Sequence, residues 1–134
     1  MKVVVNRCHG GFSLSDKAIE MIMNRKGLNC FRYRYRLDLK KYIRCESFDN
    51  TEIYDYYLTE DIGYETDELP VNAFFYDWKI DRTDSDLIAV VEELGDEANG
   101  VFADLEIVEI PDDIDWEIKD YDGCETIEEV HMFW

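Results

Sequence analysis

Charge is divided unevenly along this 134-residue chain, and that division limits how the chain can fold. Residues 1–45 contain 11 Lys/Arg and 3 Asp/Glu, whereas residues 46–134 contain 3 Lys/Arg and 29 Asp/Glu. A net charge of −18 at pH 7 destabilises a compact state by self-repulsion unless opposite charges meet. We therefore expect compensation by a basic partner, by a bound cation or by the chain's own basic segment.

The composition nevertheless indicates one folded domain, spanning residues 1–134. Hydrophobic residues make up 46% of the chain and aromatic residues 14%, which is enough to build a core at this length. No stretch reaches the roughly 20 apolar residues of a membrane span, so we expect no membrane association. The start, MKVVVNRCHGG, is too short and too polar for a signal peptide. These features predict a cytoplasmic protein with reduced cysteines.

Local patterns predict two helices. The first runs to about Lys26 and buries Ala18, Ile19, Ile22 and Met23 on one face. The second carries one apolar stripe, with its acidic residues on or near the opposite face. The predicted N-caps and terminal glycines are Ser13 or Ser15 and Gly27 for the first helix, and Thr83 or Asp84 and Gly95 or Gly100 for the second.

Alternation of apolar and polar residues predicts the strands. The clearest case is residues 31–40 (FRYRYRLDLK), where aromatic and leucine side chains occupy one face and mainly basic side chains the other. Further strands are predicted over residues 2–8, 71–80, 103–109 and 116–121. A turn at Asp122-Gly123 leads into a short predicted helix in the tail, and residues 46–70 stay unassigned. Together these elements predict an α+β domain, with two principal helices packed on one mainly antiparallel sheet.

No catalytic motif and no metal-ligand spacing stand out. The four cysteines, Cys8, Cys30, Cys45 and Cys124, form no CxxC pair. Cys8 and His9 are adjacent on a predicted strand, so their side chains point to opposite faces and His9 is poorly placed to activate the thiol. We expect no cofactor and no metal. If the chain is an enzyme, the remaining interpretation is a metal-dependent hydrolase that uses carboxylates.

Three segments carry a family resemblance: VNRCHGGFSLSDKAIE, LIAVVEELGDEANG and ADLEIVEIPDDIDWEIKDYDGCETIEEVH. They resemble a group of small, largely uncharacterised proteins from bacteriophages, prophages and some bacterial genomes. The resemblance covers about half of the chain. It implies a protein of a phage or mobile element that acts in a bacterial cytoplasm, and it supplies no catalytic residues.

The acidic excess and the phage context together favour a non-enzymatic binding protein. Rows of carboxylates on a helix and a hairpin can imitate phosphate spacing, and their long-range attraction speeds encounter with a basic surface. The expected partner is a basic host protein that binds nucleic acid, such as a defence nuclease or a CRISPR effector, inhibited by charge mimicry without direct contact to nucleic acid. The predicted contact residues are Asp86, Glu92, Glu93, Asp96, Glu97, Asp104, Glu106, Asp112, Asp113 and Asp115.

The alternative is a protein that binds or sequesters a nucleotide or another small phosphate ligand. An arginine-rich strand and a glycine loop before a helix can both hold an anion. The residues predicted for this site are Gly10, Gly11, Arg32, Arg34, Arg36, Tyr33 and Tyr35. The competing interpretation of the arginines is ion pairing, either with acidic residues of segment 46–68 or with a second copy. The second form of pairing predicts a homo-oligomer.

Overall fold

Two helices and three small antiparallel sheets form the part of the chain that a computed structural model describes, residues 1–45 and 55–130. The predicted α+β class is confirmed. The helices are α1 (Asp16–Arg25) and α2 (Ser85–Leu94). The strands are β1 (Lys2–Asn6), β2 (Phe31–Arg36), β3 (Lys41–Cys45), β4 (Asp55–Leu58), β5 (Glu65–Thr66), β6 (Leu105–Glu109), β7 (Trp116–Tyr121) and β8 (Cys124–Glu129).

The first helix begins where a serine can satisfy its free N–H groups. The Ser15 hydroxyl accepts a hydrogen bond from the Ala18 N–H at 3.1 Å and donates one to the Glu97 carbonyl at 2.7 Å. Its buried face is the predicted one, Ala18, Ile19, Ile22 and Met23. Gly27 follows the last turn at φ 78°, a left-handed conformation that favours glycine. Helix α1 is therefore confirmed with its N-cap and its terminal glycine.

The second helix is capped by Asp84, whose carboxylate accepts from the N–H groups of Asp86 at 2.9 Å and Leu87 at 3.0 Å. Its buried residues, Leu87, Val90 and Val91, join the α1 face and Val4 of β1 in one core cluster. Gly95 ends the helix at φ 58°. The two helices therefore pack against each other and against Val4 of β1.

The predicted single sheet is instead three sheets. β1 pairs with β6, β7 pairs with β8, and a four-stranded sheet has the order β4-β2-β3-β5. At its second edge β1 meets other groups: the Val4 N–H donates to the Arg82 carbonyl at 2.9 Å, and the Asn6 N–H donates to the Glu125 carboxylate at 2.8 Å. Because these groups occupy the edge, the β1–β6 sheet stops at two strands.

Two predicted strands are wrong in extent or type. The run 31–40 ends as a strand at Arg36, and residues 37–40 turn the chain, with Lys40 at φ 54°, into the antiparallel β3. Segment 71–80 forms two short 3₁₀ turns, over Val71–Ala73 and Asp77–Lys79. Pro70 stands just before the first turn, where its fixed φ suits the start of a turn. Its carbonyl accepts a hydrogen bond from the Ala73 N–H.

The predicted tail helix is also wrong, since residues 124–129 form strand β8. Asp122 at φ 51° and Gly123 at φ 89° supply the two left-handed positions of a tight hairpin turn. The turn itself was predicted, and it returns the chain onto β7. Strand β7 has its predicted bounds but pairs with β8 and not with β6. Residues 131–134 of the predicted tail, like 46–54 of the unassigned segment, lie outside the described residues.

Candidate protein-binding surface

Two of the five acidic residues predicted on α2 and just after it, Asp86 and Glu97, pair with basic residues of α1 and its C-cap. Asp86 lies 3.2 Å from Arg25 and 3.1 Å from Lys26, while Glu97 lies 3.2 Å from Lys17. The C-terminal end of α1 therefore faces the N-terminal end of α2, where the two helix dipoles favour the charges of Arg25, Lys26 and Asp86. Opposite charges thus meet at both ends of the helix pair.

Lys26 also lies 2.7 Å from the capping carboxylate of Asp84. This hydrogen bond is the largest cause of a raised Lys26 pKa. Partial burial alone would raise the pKa of Asp84, but the bonds from Lys26 and the Leu87 N–H lower it overall. The junction of the helices is therefore a charged contact that needs Asp84 ionised.

Basic groups at the start of the chain answer three more of the predicted residues. Lys2 lies 2.7 Å from Glu92, the Met1 ammonium 2.7 Å from Asp112, and Arg7 2.8 Å from Glu106. The bond to Glu92 raises the pKa of Lys2. The chain's own basic segment is therefore one source of the expected compensation. Exposed pairs of this kind are weak because water and salt screen them, so a stronger partner can displace them.

The other half of the predicted set is exposed and forms no ion pair within the described part of the chain. These residues are Glu93, Asp96, Asp104, Asp113 and Asp115. The structure thus divides the ten predicted acidic residues into five that are paired and five that are not.

Uncompensated charge is concentrated in the C-terminal region. Residues 104–129 contain twelve Asp/Glu and one Lys. On the hairpin formed by β7 and β8, Glu117 and Glu128 are cross-strand partners of like charge. Lys119 lies 2.9 Å from Glu117, which raises the lysine pKa. We call β6, the hairpin and the loop between them the acidic surface, residues 104–129.

A buried network, which the sequence interpretation missed, holds the hairpin on β1. The guanidinium of Arg82 donates two hydrogen bonds to the Glu125 carboxylate, at 2.6 and 2.9 Å, and stacks 3.6 Å from the ring centre of Phe12. The Glu125 side chain is only 5% exposed. The residues that contact Glu125 lie far apart in the chain, so no residue spacing in the sequence predicts these contacts.

Asn6 completes this network from the end of β1. It is fully buried, and its side-chain amide donates to the carbonyls of Cys8 at 2.6 Å and Gly123 at 2.7 Å. Its amide oxygen accepts from the Asp104 N–H at 2.8 Å. One side chain therefore joins the loop after β1, the hairpin turn and the start of β6. The only sequence signal was an Asn directly after three valines.

The Gly10-Gly11 loop is used for close packing. A Cβ on Gly10 would lie 2.1 Å from the Phe102 carbonyl oxygen, and one on Gly123 would lie 2.5 Å from the His9 carbonyl oxygen. Gly11 adopts φ 91°, and its N–H donates a hydrogen bond to the backbone carbonyl of Cys8 at 3.4 Å. The loop thus lies between the turn at residue 102 and the hairpin turn. Close packing at Gly10 and the positive φ of Gly11 explain why both residues are glycine, without a bound anion.

The arginine strand places its side chains in different surroundings. Arg32 is buried 3.1 Å from Asp16 of α1, and Arg36 pairs with Asp38 at 3.1 Å. Arg34 faces Asp55 in the β2–β4 backbone register. The ion pairs of Arg32 and Arg36 are thus with residues outside segment 46–68, whereas Arg44 of β3, which is not one of the predicted arginines, lies 2.7 Å from Asp61.

Tyr33 and Tyr35 point to the face of β2 opposite the arginines, and Tyr33 is buried with its hydroxyl donating to the Gly63 carbonyl at 2.8 Å. A cleft of about 370 Å³ lies elsewhere in the described structure, and none of the seven residues of the predicted phosphate site lines it. Its lining residues are Lys26, Phe74, Phe75, Tyr76, Lys79, Ile80, Asp81 and Asp84. The structure does not bring the predicted phosphate-binding residues together.

Among residues 1–45 and 55–130, no group of three or more His, Cys, Asp or Glu side chains is arranged to hold a metal ion. Burial raises the pKa of the Cys30 thiol to about 12, so this thiol stays protonated. None of the helices in these residues is long and apolar enough to cross a membrane. Comparison with protein-family models, curated proteins and solved structures finds no match to this chain.

Proposed function

We propose that this protein is a phage-type binding protein, active in the bacterial cytoplasm, that inhibits a basic nucleic-acid-binding protein of the host by charge mimicry. The observation that supports the proposal is the acidic surface, residues 104–129, which contains twelve carboxylates, eleven of them exposed, and one lysine. Such a surface attracts a basic partner over several ångströms and repels nucleic acid itself. The same acidic excess repels a small phosphate ligand and therefore favours the basic partner over the alternative.

The acidic surface is also held in place, which a mimic requires. The Arg82–Glu125 pair and Asn6 attach the hairpin to β1, and β6 pairs with β1 along its whole length. A rigid arrangement loses little conformational entropy on binding, so more of the electrostatic attraction appears as affinity. The host target would be a protein whose nucleic-acid groove is lined with Lys and Arg.

Intramolecular pairing makes the acidic residues of α2 weaker contacts than the sequence suggested. Glu92 and Glu97 already pair with Lys2 and Lys17. A partner that used them would have to break those pairs first. We therefore propose that the partner binds mainly to the acidic surface, and that the carboxylates of α2 only extend this contact.

The test compares two variants that each remove four negative charges. The first changes Asp113→Asn, Asp115→Asn, Glu117→Gln and Glu128→Gln on the acidic surface. The matched control changes Glu92→Gln, Glu93→Gln, Asp96→Asn and Glu97→Gln. Tagged proteins are used to capture partners from nuclease-treated bacterial lysate at low and high salt.

We expect the wild type and the control to retain one basic nucleic-acid-binding protein that is released at high salt, and the first variant to lose it. Equal loss in both variants would show that net charge alone decides binding. Capture that survives in both variants would contradict the proposal.

Self-association, which the uneven charge predicts, stays a prediction and has its own measurement. The hairpin formed by β2 and β3 carries Arg36, Lys40 and Lys41, which are opposite in charge to the acidic surface. Sedimentation velocity at low and high salt would show a salt-sensitive dimer or larger assembly if copies associate through these charges.

A further inference from the structure

Three exposed aromatic side chains flank the loop that contains Gly10 and Gly11. Tyr121 is 80% exposed, Phe102 is 66% exposed, and His9 is exposed. Gly10 lies directly against the backbone of Phe102, and the His9 and Tyr121 rings meet edge to face with centres 6.3 Å apart. We call His9, Phe102 and Tyr121 the aromatic patch.

Phe102 occupies a position that normally selects glycine or asparagine. The Ala103 N–H donates to the Gly100 carbonyl at 3.1 Å and closes a four-residue turn, in which Phe102 is third with φ 65°. A bulky residue is rare at positive φ, and its backbone strain is not repaid here by burial of the ring. Strain retained at an exposed residue indicates a use for its side chain.

Carboxylates border the aromatic patch. Asp104 follows the Phe102 turn, and Asp120 and Asp122 flank Tyr121; all three are exposed. Asp120 is fixed by a 2.7 Å bond from the Gly123 N–H. Arg7, just after β1, donates hydrogen bonds to Glu106 and to the Glu125 carbonyl and is therefore already engaged. The border is therefore negative and suits a cation.

We propose that the aromatic patch is the docking centre for the basic partner and that it receives arginine side chains. This inference rests on the proposed function and names the chemistry that gives it specificity. A guanidinium stacks on aromatic faces and binds carboxylates with paired hydrogen bonds, whereas a lysine ammonium acts as a hydrated point charge. Aromatic residues at the centre of a polar border are also the usual composition of interface hot spots.

The chain itself shows this geometry once. Arg82 lies 3.6 Å from the centre of the Phe12 ring while it donates two bonds to the Glu125 carboxylate. In the aromatic patch, the exposed Asp104 and Asp122 lie within two residues of Phe102 and Tyr121 in the sequence, so a ring and a carboxylate are both available to an arginine from outside.

The test uses fluorescently labelled hexa-arginine and hexa-lysine, which carry the same charge, at about 0.15 M salt. The acidic surface attracts both peptides, so the affinity lost when the two rings are removed measures what the aromatic patch itself adds for arginine. The test variant is Phe102→Gly with Tyr121→Ser. Glycine suits the φ of position 102, so we expect the variant to fold at least as stably there. The matched control is Tyr64→Ser, which removes another exposed tyrosine, 61% accessible, beside β5.

We expect the wild type and Tyr64→Ser to bind hexa-arginine more tightly than hexa-lysine. The test variant should lose about tenfold in hexa-arginine affinity and keep its hexa-lysine affinity. Unchanged hexa-arginine binding in this variant would overturn the inference. The proposed function would still stand if the four-charge variant of the acidic surface lost both peptides.

Two other outcomes would also overturn the inference. If the wild type holds neither peptide, the proposed function fails together with the inference. If the test variant turns a dimer into a monomer in sedimentation, the aromatic patch is covered by a second copy, and docking of a basic partner there is overturned.

Discussion

The buried carboxylate of Glu125 should be the most sensitive charged group in the described structure, and Glu125→Ala tests this. The change removes the acceptor of two bonds from Arg82 and one from the Asn6 N–H. All three bonds go to a charged carboxylate, and because such bonds are worth about 1.5–3 kcal/mol each, their sum is an upper bound on the loss of stability. Removing one partner of a buried ion pair usually costs about 3–5 kcal/mol, so we expect the free energy of unfolding to fall by that amount.

Urea unfolding followed by circular dichroism measures this loss against Glu128→Ala on the same hairpin. Glu128 is exposed and faces Glu117 across the strands, so its removal should change the free energy of unfolding by about 0.5 kcal/mol or less. A double change, Arg82→Met with Glu125→Leu, should recover part of the loss because it leaves no uncompensated charge. A Glu125→Ala protein as stable as Glu128→Ala would refute the reasoning.

Three further substitutions or treatments test other parts of the structure. Asp84→Ala should lower stability by about 1 kcal/mol at neutral pH in urea unfolding. Because the folded-state pKa of Asp84 is lowered from 3.8, its contribution is present above that value, and the gap to wild type should close as pH falls through the lowered pKa. Cys30, with a pKa of about 12, has a thiolate fraction of about one in ten thousand at pH 8 and should resist alkylation in the native protein, as mass spectrometry would show; rapid labelling would contradict its burial. Gly10→Ala places a Cβ 2.1 Å from the Phe102 carbonyl oxygen and should cost about 1–3 kcal/mol in thermal unfolding, whereas an unchanged midpoint would show that the loop can move apart.

The helices could be predicted from the sequence because their signals are local. Ser15 and Asp84 cap them, and Gly27 and Gly95 stand at positive φ just beyond them, as the sequence indicated. Each of these signals acts within a few residues of the helix end, so no knowledge of the rest of the fold is needed.

The strands were predicted less well because pairing depends on distant segments. Alternation identified β2, but it does not tell where a strand ends, and the continuing pattern through Leu37 and Leu39 concealed the turn. The Asp122-Gly123 turn was identified, yet its consequence, a β8 strand in place of a tail helix, was missed. An intrinsic preference for helix in an acidic tail is overridden when a tight turn brings it back beside β7.

The candidate site could be predicted in kind but not in position. Net charge located an acidic half of the chain, but ion pairs such as Lys2–Glu92 and Lys17–Glu97 join residues 80 or more positions apart. No local pattern shows which carboxylates these pairs neutralise. The same holds for the aromatic patch, whose three members come from two loops and the end of β7, which Asn6 and the glycines bring together.

The distribution of ion pairs argues that the acidic excess is retained for a purpose outside the fold. Basic residues of the first 45 positions reach α2, β6 and the loop after β6, so the fold can neutralise carboxylates where neutralisation helps. Four of the twelve acidic side chains in residues 104–129 form ion pairs, but the other eight form none within the described part of the chain, and one of these, Glu128, lies opposite Glu117 across the hairpin. Like charges placed opposite each other destabilise a sheet, and the buried Arg82–Glu125 pair offsets that cost at the other face of the same hairpin. Charge repulsion on the outer face of the hairpin therefore disfavours folding, while the Arg82–Glu125 pair holds its inner face in place. Such a hairpin is suited to bind a basic surface.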